Sequence, residues 1–116
     1  MSLESQLQVA LLLAAPTRLP SVRFFRRNIG AAKMHGGATV RFAIPGQADL
    51  YGVTRGGGHL EVELKAAGRH LEPDQRAWAA WCAEWEVPHI VLTGRKEETI
   101  EETVERWLGE LERLIA

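Results

Sequence analysis

Polar and apolar residues alternate strictly in the segment Leu60-Glu61-Val62-Glu63-Leu64-Lys65. Side chains of a β-strand point alternately to opposite faces, so this pattern predicts a strand with its apolar residues on one face and Glu61, Glu63 and Lys65 on the other. Three glycines, at positions 56 to 58, precede the segment and predict a hairpin turn from another short strand, Leu50 to Thr54. The fold is therefore expected to contain an antiparallel pair of strands that carries charged side chains on one face.

The segments around this hairpin predict an α/β fold with the element order α-β-β-β-β-α-β-α. Ser2 suits the N-cap of a first helix, which Pro16 and Pro20 are expected to end. Further strands are predicted at 22–29, 38–44 and 89–93, and helices from about residue 73 and over about residues 97–114. The strands between 22 and 66 are expected to pair as antiparallel neighbours. The apolar strand Ile90–Leu92 follows a crossover helix, so it is expected to pair in parallel and to be buried on both faces.

Length and composition limit the class of protein. With 116 residues the chain is expected to form a single domain, 1–116, around one hydrophobic core. Its only cysteine, Cys82, excludes an internal disulfide and a cysteine pair for zinc, and the four histidines lack zinc-ligand spacing. The apolar run Leu11–Ala15 is too short to span a bilayer and no export signal is recognisable, so a cytoplasmic protein without membrane association is expected.

Charge is distributed unevenly along the chain. Six basic residues and no acidic residue lie between Arg18 and Arg41, whereas the part after Ala77 is rich in glutamate. Such segregation suggests one face that binds a polyanion. Contacts to phosphates, salt-dependent and largely independent of base sequence, are therefore predicted for Arg23, Arg26, Arg27, Lys33 and Arg41.

Asp49 and Glu63 are predicted to lie on consecutive strands, so their carboxylates can converge on one point. Two carboxylates, with a backbone carbonyl and waters, form the oxygen ligand set that Mg²⁺ or Mn²⁺ prefers. Such an ion polarises a phosphate oxygen and lowers the pKa of a bound water. Lys65 lies on the same face, roughly 7 Å along the strand from Glu63, where its ammonium can hold the attacking water or neutralise charge on the phosphate. These residues predict a small metal-dependent nuclease.

Simpler interpretations of the same residues stay open. Alternating charges usually form the solvated face of a half-exposed sheet, and an aspartate close after a glycine is a common turn residue. Glu61 faces the same side as Glu63 and is a secondary candidate for the site. The apolar stripe of Trp78, Trp81 and Trp85 is expected to be core rather than a base-stacking platform, with any excess covered by a second subunit.

Several motifs resemble the VRR-NUC family, a branch of the PD-(D/E)XK nuclease superfamily, and its compact stand-alone phage and bacterial members in particular. The resemblance runs from Glu4 to about Thr93. It is carried by Gly46-Gln47-Ala48-Asp49-Leu50, by Leu60–Ala66 and Leu71–Gln75, and also by Arg27-Asn28-x-Gly30, Val40-Arg41-Phe42 and the first-helix pair Glu4 and Gln8. The usual proline before the aspartate is Ala48 here. That proline only stiffens the turn and binds no metal.

The resemblance implies a restriction-endonuclease-like core, a central mixed β-sheet flanked by helices, that cuts DNA with Mg²⁺ or Mn²⁺. Asp49, Glu63 and Lys65 match the catalytic triplet of the family. Gln75 matches a glutamine close to the metal site, and Glu4 matches an acidic residue that joins the metal shell directly or through water. Both also suit their helix N-termini without any metal. Stand-alone members are associated with homodimers and with branched substrates such as Holliday junctions.

The leading interpretation is a structure-selective, metal-dependent DNA endonuclease. An alternative is a non-catalytic nucleic-acid-binding module that keeps a nuclease-like fold, because a fold does not by itself confer activity. Retention of Asp49, Glu63 and Lys65 argues against this alternative. A third possibility is a structural interaction domain that uses the acidic last helix.

Overall fold

The computed structural model of the chain describes residues 1–27, 31–41 and 43–115. Within these ranges it has an α/β architecture of three helices and six strands. The elements are α1 (Leu3–Arg18), β1 (Val22–Arg26), β2 (Ala31–Lys33), β3 (Thr39–Arg41), β4 (Leu50–Thr54), β5 (His59–Lys65), α2 (Pro73–Glu84), β6 (His89–Thr93) and α3 (Ile100–Ile115).

A four-stranded mixed sheet forms the centre of the fold, with the strand order β1-β4-β5-β6. The first three strands are antiparallel neighbours. Gly56 and Gly57 have φ angles of 93° and 89° in the turn between β4 and β5, a conformation that favours glycine. β6 pairs in parallel with β5, as predicted from the intervening helix α2. The prediction of a mixed sheet flanked by helices is confirmed.

One face of this sheet builds the hydrophobic core with α1 and α3. Leu60, Val62 and Leu64 of β5 belong to this core and are almost completely buried. The two helices contribute Leu7, Leu11, Ala15, Val104, Trp107, Leu108 and Leu111. The indole N–H of Trp107 also donates to the carbonyl of Thr93 at 3.1 Å, which fastens α3 to β6. In the described ranges no helix combines the length and the apolar character needed to cross a membrane.

The segment between β1 and β4 differs from the prediction. The strand expected at 38–44 does not pair with the central sheet in the described residues, because β3 pairs with β2 in a separate two-stranded sheet. β2 itself lies between the predicted strands 22–29 and 38–44, where no strand was predicted. Five described strands therefore precede α2, where four were predicted.

Several element boundaries also differ. β1 ends at Arg26 rather than at residue 29. α1 continues through Pro16 to Arg18, and α3 begins at Ile100 rather than at about Glu97. The motif residues Asn28, Ile29, Gly30 and Phe42 lie outside the described residues.

The expected burial of β6 on both faces is wrong. β6 is an edge of the central sheet, and its two faces are not equally buried. Leu92 is buried, whereas Val91, which points to the other face, is exposed. A parallel strand after a crossover helix is buried on both sides only where helices cover both sides.

The tryptophan stripe of α2 is not core. Trp78, Trp81 and Trp85 stack on one another, with ring centroids 4.8 Å and 5.6 Å apart, but Trp81 and Trp85 are exposed. Cys82 is the buried residue of this helix. A periodic apolar stripe predicts that a helix has a contact face but not that the face is covered by the same chain.

Gly46 brings the turn before β4 against the start of α2. A Cβ atom at this position would lie 2.2 Å from the backbone oxygen of Asp74, and the φ angle of Gly46 is 91°. A residue with a side chain therefore cannot occupy this position without a shift of the backbone. The close approach sets the segment that leads to Asp49 directly beside the helix that carries Gln75.

Candidate metal centre

Asp49 and Glu63 lie next to each other on neighbouring strands. Leu50 of β4 pairs with Val62 of β5, so the antiparallel register continues with Asp49 opposite Glu63. Residues directly opposite in such a pair have Cβ atoms about 4.5–5.5 Å apart and share one face of the sheet. The geometry on which the metal hypothesis depends is therefore present.

The position of the Asp49 side chain is fixed by the backbone of β5. The N–H of Leu64 donates to Asp49 Oδ2 at 3.0 Å. The carbonyl of Asp49 accepts a hydrogen bond from the N–H of Arg27 at 2.8 Å, which holds its main chain as well. The Asp49 carboxylate is thus held against the stretch of β5 between Glu63 and Lys65. Its second oxygen, Oδ1, points to no donor among the described residues.

Glu63 is buried without full hydrogen bonding. Its side chain is 2 % exposed; Oε1 accepts a hydrogen bond from Nε2 of Gln75 at 3.2 Å, and Oε2 is buried without a partner in the described part of the chain. Burial and the adjacent Asp49 carboxylate raise the pKa of Glu63 to about 8, although Lys65 acts in the opposite direction. A buried carboxylate that lacks a partner for one oxygen is an unusual and costly arrangement in a folded protein.

Lys65 is the third predicted member of the site. It is 5 % exposed, follows Glu63 by two residues on the same strand face, and attracts the negative charge of that carboxylate. No hydrogen bond of its ammonium is found among the described residues. Its burial contradicts the interpretation of these charges as a solvated surface, and the same holds for Glu61 and Glu63.

These residues fit a hard divalent cation. Oε2 of Glu63, unpaired within the described ranges, and the neighbouring Asp49 carboxylate are oxygen ligands of the kind that Mg²⁺ and Mn²⁺ bind. A cation between them would remove the repulsion that raises the pKa of Glu63. Asp49 is half-buried, so solvent reaches the Asp49 side of the pair, whereas Glu63 is buried.

Glu4 does not join Asp49 and Glu63 in a group of direct ligands among the described residues, and its predicted contribution through water stays a prediction. Within the described residues no three side chains of histidine, cysteine, aspartate or glutamate come together as a metal-binding group. The buried face of α1 packs on the side of the sheet opposite to Glu63. Protein carboxylates would therefore supply two ligands, and backbone oxygens or waters the others.

Gln75 has both of the roles considered for it. Its Oε1 accepts a hydrogen bond from the N–H of Glu72 at 2.8 Å, which caps the start of α2. Its Nε2 donates to Glu63 at the same time. An amide has an acceptor and a donor at its two ends, so the capping contact leaves the donor directed at the site. The cap therefore orients Gln75 toward Glu63.

Glu61 is the centre of a buried polar network that the sequence pattern did not predict. It is 1 % exposed and forms a two-point contact with Arg27, with N–O distances of 2.6 Å and 3.0 Å. Trp78 Nε1 donates to the same carboxylate at 3.0 Å, and His59 Nε2 lies 2.6 Å from it. Burial opposes ionisation of Glu61, but these contacts outweigh it and lower the pKa. Alternation along β5 indicates the face of Glu61 but not its partners.

The network links Glu61 to both sides of the metal centre. Arg27 Nη1 also donates to the carbonyl of Ala48 at 3.0 Å, next to Asp49. Trp78 lies one helical turn after Gln75 on α2. Glu61 thus fixes the segment that carries Asp49 and the helix that carries Gln75, and it is a positioning residue in this structure rather than a metal ligand.

Arg27 is accordingly not available as the phosphate ligand that was predicted. Its guanidinium is engaged by Glu61 and Ala48 and lies over the ring of Tyr51, 5.0 Å from the centroid. Arg23 and Arg26 are exposed on β1. The side chains of the other two predicted ligands, Lys33 and Arg41, lie outside the described part of the chain.

We expect replacement of Trp78 by phenylalanine to lower the free energy of unfolding by about 2 kcal/mol. The change removes a hydrogen bond to a buried, ionised carboxylate. Urea denaturation followed by circular dichroism measures the effect. The matched control is Trp85→Phe, on the exposed end of the same aromatic stack, where a change below about 0.5 kcal/mol is expected. Equal losses in the two variants would contradict the role given to Trp78.

Comparisons of the chain with protein-family models, with curated proteins and with solved structures give no match. The resemblance to VRR-NUC nucleases therefore depends on the motifs alone. The geometry of the centre is an independent line of argument, because it follows from the register of β4 and β5 and from the burial of Glu63.

Proposed function

We propose that the protein is a DNA endonuclease that hydrolyses phosphodiester bonds with Mg²⁺ or Mn²⁺ bound by Asp49 and Glu63. The observation that carries the proposal is the buried Oε2 of Glu63, which has no hydrogen-bond partner among the described residues and lies beside the Asp49 carboxylate, with Lys65 on the same strand face. The mixed sheet with α1 and α3 on one face and α2 on the other is compatible with a restriction-endonuclease-like core.

Each residue has a separate task in this proposal. Asp49 and Glu63 bind the cation, which when bound supplies a polarised phosphate oxygen and a water of lowered pKa. Lys65 orients the attacking water and stabilises negative charge that develops on the phosphate. Gln75 holds Glu63 in place through its side-chain amide, and the Glu61 network keeps α2 and the Asp49 segment in register.

The proposed substrate is DNA, with branched forms such as four-way junctions as the preferred class. Support for a polyanionic substrate comes from the basic segment between Arg18 and Arg41, of which Arg23 is exposed on β1 and lies on the same face of the sheet as the site. The preference for branched DNA and the expected homodimer come from the family resemblance.

Cleavage of labelled DNA by the purified protein tests the proposal. We expect a four-way junction to be cut in the presence of Mg²⁺ or Mn²⁺ and a linear duplex of the same sequence to be cut more slowly. Neither substrate should be cut in excess EDTA. Calorimetry with Mn²⁺ and no DNA is the second measurement, and a single class of binding site is expected. Absence of both Mn²⁺ binding and cleavage would overturn the proposal. Tight DNA binding without cleavage in either ion would favour the non-catalytic module.

A further inference from the structure

Three aromatic side chains form a row across the sheet beside the metal centre. Phe25 of β1 stacks on Tyr51 of β4 with ring centroids 5.2 Å apart, and Tyr51 stacks on His59 of β5 at 5.8 Å. Phe25 pairs with Tyr51, and Tyr51 pairs with Glu61, so the row lies on the same face of the sheet as Glu61 and Glu63. We refer to Phe25, Tyr51 and His59 as the aromatic row.

The aromatic row is open at its outer end. Phe25 is 41 % exposed, and it lies on a strand that pairs only with β4 among the described residues. Val53, on the same face and in the same part of the sheet, is 40 % exposed. Helix α2 covers Glu61 and Glu63 through Trp78 and Gln75, but its hydrogen bonds do not extend to β1. Among the described residues, no helix covers this half of the face, and Phe25 is its exposed ring.

The exposed charges beside Phe25 are positive. Arg23 lies two residues before Phe25 on the same strand face and is exposed, as is Arg55 directly after β4. Two acidic residues adjoin the row on the same face: Glu61, which is buried and paired with Arg27, and Asp49, which precedes Tyr51 by two residues toward the metal centre. The surface around the exposed tryptophans of α2 differs, because Asp74, Glu84 and Glu86 outnumber the one basic residue, Arg76, on or beside that helix. Of the two exposed aromatic surfaces, the aromatic row is the one suited to a polyanion.

We propose that the aromatic row binds unpaired nucleotides of the substrate, with one base stacked on Phe25 and the adjoining phosphate at Arg23. Exposed aromatic rings beside cationic side chains bind single-stranded nucleic acid in this way, because every base presents a π-face. A paired base has its faces stacked on its neighbours in the helix, so it cannot stack on Phe25 without leaving the duplex.

The distance from the aromatic row to the metal centre suits this role. Phe25 is two strands away from β5 and two residues out of register with Glu63, which corresponds to about 12 Å along the sheet. A few nucleotides of single strand span this distance. The inference deepens the proposed nuclease function by naming an unpaired segment next to the scissile bond, and binding of that segment requires no metal.

Binding of a fluorescently labelled oligothymidine in EDTA tests the inference without cleavage. We expect the replacement Phe25→Ala to weaken binding about tenfold, as loss of one base–aromatic stack does. Phe25→Trp is expected to retain wild-type affinity, whereas Phe25→Leu, which keeps an apolar side chain without a π-face, should resemble Phe25→Ala. The matched control is Val53→Ala, at an equally exposed site on the same face, with affinity expected within a factor of two of wild type.

The outcomes separate this inference from the nuclease proposal. Equal oligothymidine affinity of wild type, Phe25→Ala and Phe25→Leu overturns the inference, whether or not the protein cleaves DNA. Equal weakening by Phe25→Ala and Val53→Ala also overturns it, because a general disturbance of β1 and β4 would then explain the loss. Stacking-dependent binding in a protein that never cleaves DNA supports the inference and contradicts only the catalytic proposal. If this surface binds a protein partner in place of nucleic acid, the wild type will not bind oligothymidine, and that result also overturns the inference.

Discussion

Replacement of Glu63 by glutamine, or of Lys65 by alanine, is expected to reduce the rate of Mg²⁺-dependent cleavage by about 100-fold to 1,000-fold. The Glu63→Gln change keeps the size of the side chain but removes the negative charge that would hold the cation beside Asp49. The Lys65→Ala change leaves both carboxylates in place and removes the one cationic group on their strand face. Loss of a single charge-stabilising group in an active site commonly costs this much.

The two variants are expected to differ in cation binding. Calorimetry with Mn²⁺ should show weak or no binding to Glu63→Gln, whereas Lys65→Ala should bind at least as well as wild type because a repelling charge is gone. Lys96→Ala and Glu101→Gln, at exposed positions outside the centre, serve as controls and should cleave at the wild-type rate. The catalytic assignment is refuted if both site variants keep wild-type cleavage or if cleavage continues in excess chelator.

The metal-free protein is expected to lose stability as the pH rises from about 4.5 to about 8. Glu63 stays protonated in the folded state up to its pKa of about 8, whereas in the unfolded chain it ionises near 4.5. Between these values the folded state binds one more proton than the unfolded state, so the free energy of unfolding falls with pH. The loss attributable to Glu63 is at most about 5 kcal/mol across this window, and no further loss is expected above pH 8.

Urea denaturation in EDTA at intervals from pH 5 to pH 8 measures this dependence. The Glu63→Gln variant, which cannot ionise at this position, should lose the downward trend and become more stable than wild type near pH 8. Burial lowers the pKa of His89, which adds a trend of opposite sign around pH 6.5 in both proteins. The difference between the two profiles therefore isolates Glu63. Parallel profiles would show that neither burial nor the Asp49 carboxylate raises the pKa of Glu63.

The sequence predicts the central hairpin and its charged face because both have local causes. Alternation in Leu60–Lys65 and the glycines at 56–58 determine a strand and a turn, and these place Asp49 opposite Glu63. The parallel pairing of β6 follows from the crossover helix in the same way. These features required no knowledge of distant contacts.

The features that were missed depend on contacts between distant segments. Burial of Glu61 requires contacts with Arg27, directly after β1, and with Trp78 of α2, and no local sequence pattern specifies these contacts. The exposure of Trp81 and Trp85 is a similar case, because an apolar stripe is the same whether or not a neighbour covers it. The strand at 38–44 was predicted from its alternation, but its partner β2 has only three residues without alternation, so neither β2 nor its pairing with β3 was predicted.

The hydrogen bond from the Leu64 N–H to Asp49 makes the placement of this carboxylate insensitive to the identity of residue 64. Every amino acid except proline has that donor, whereas the leucine side chain points away into the core. Leu64 can therefore be replaced by other apolar residues during evolution without displacing the Asp49 carboxylate. Distant homologues of this centre are better sought by two criteria, the spacing between the two carboxylates and a non-proline residue at the position of Leu64. Sequence identity along the strand is a poorer criterion.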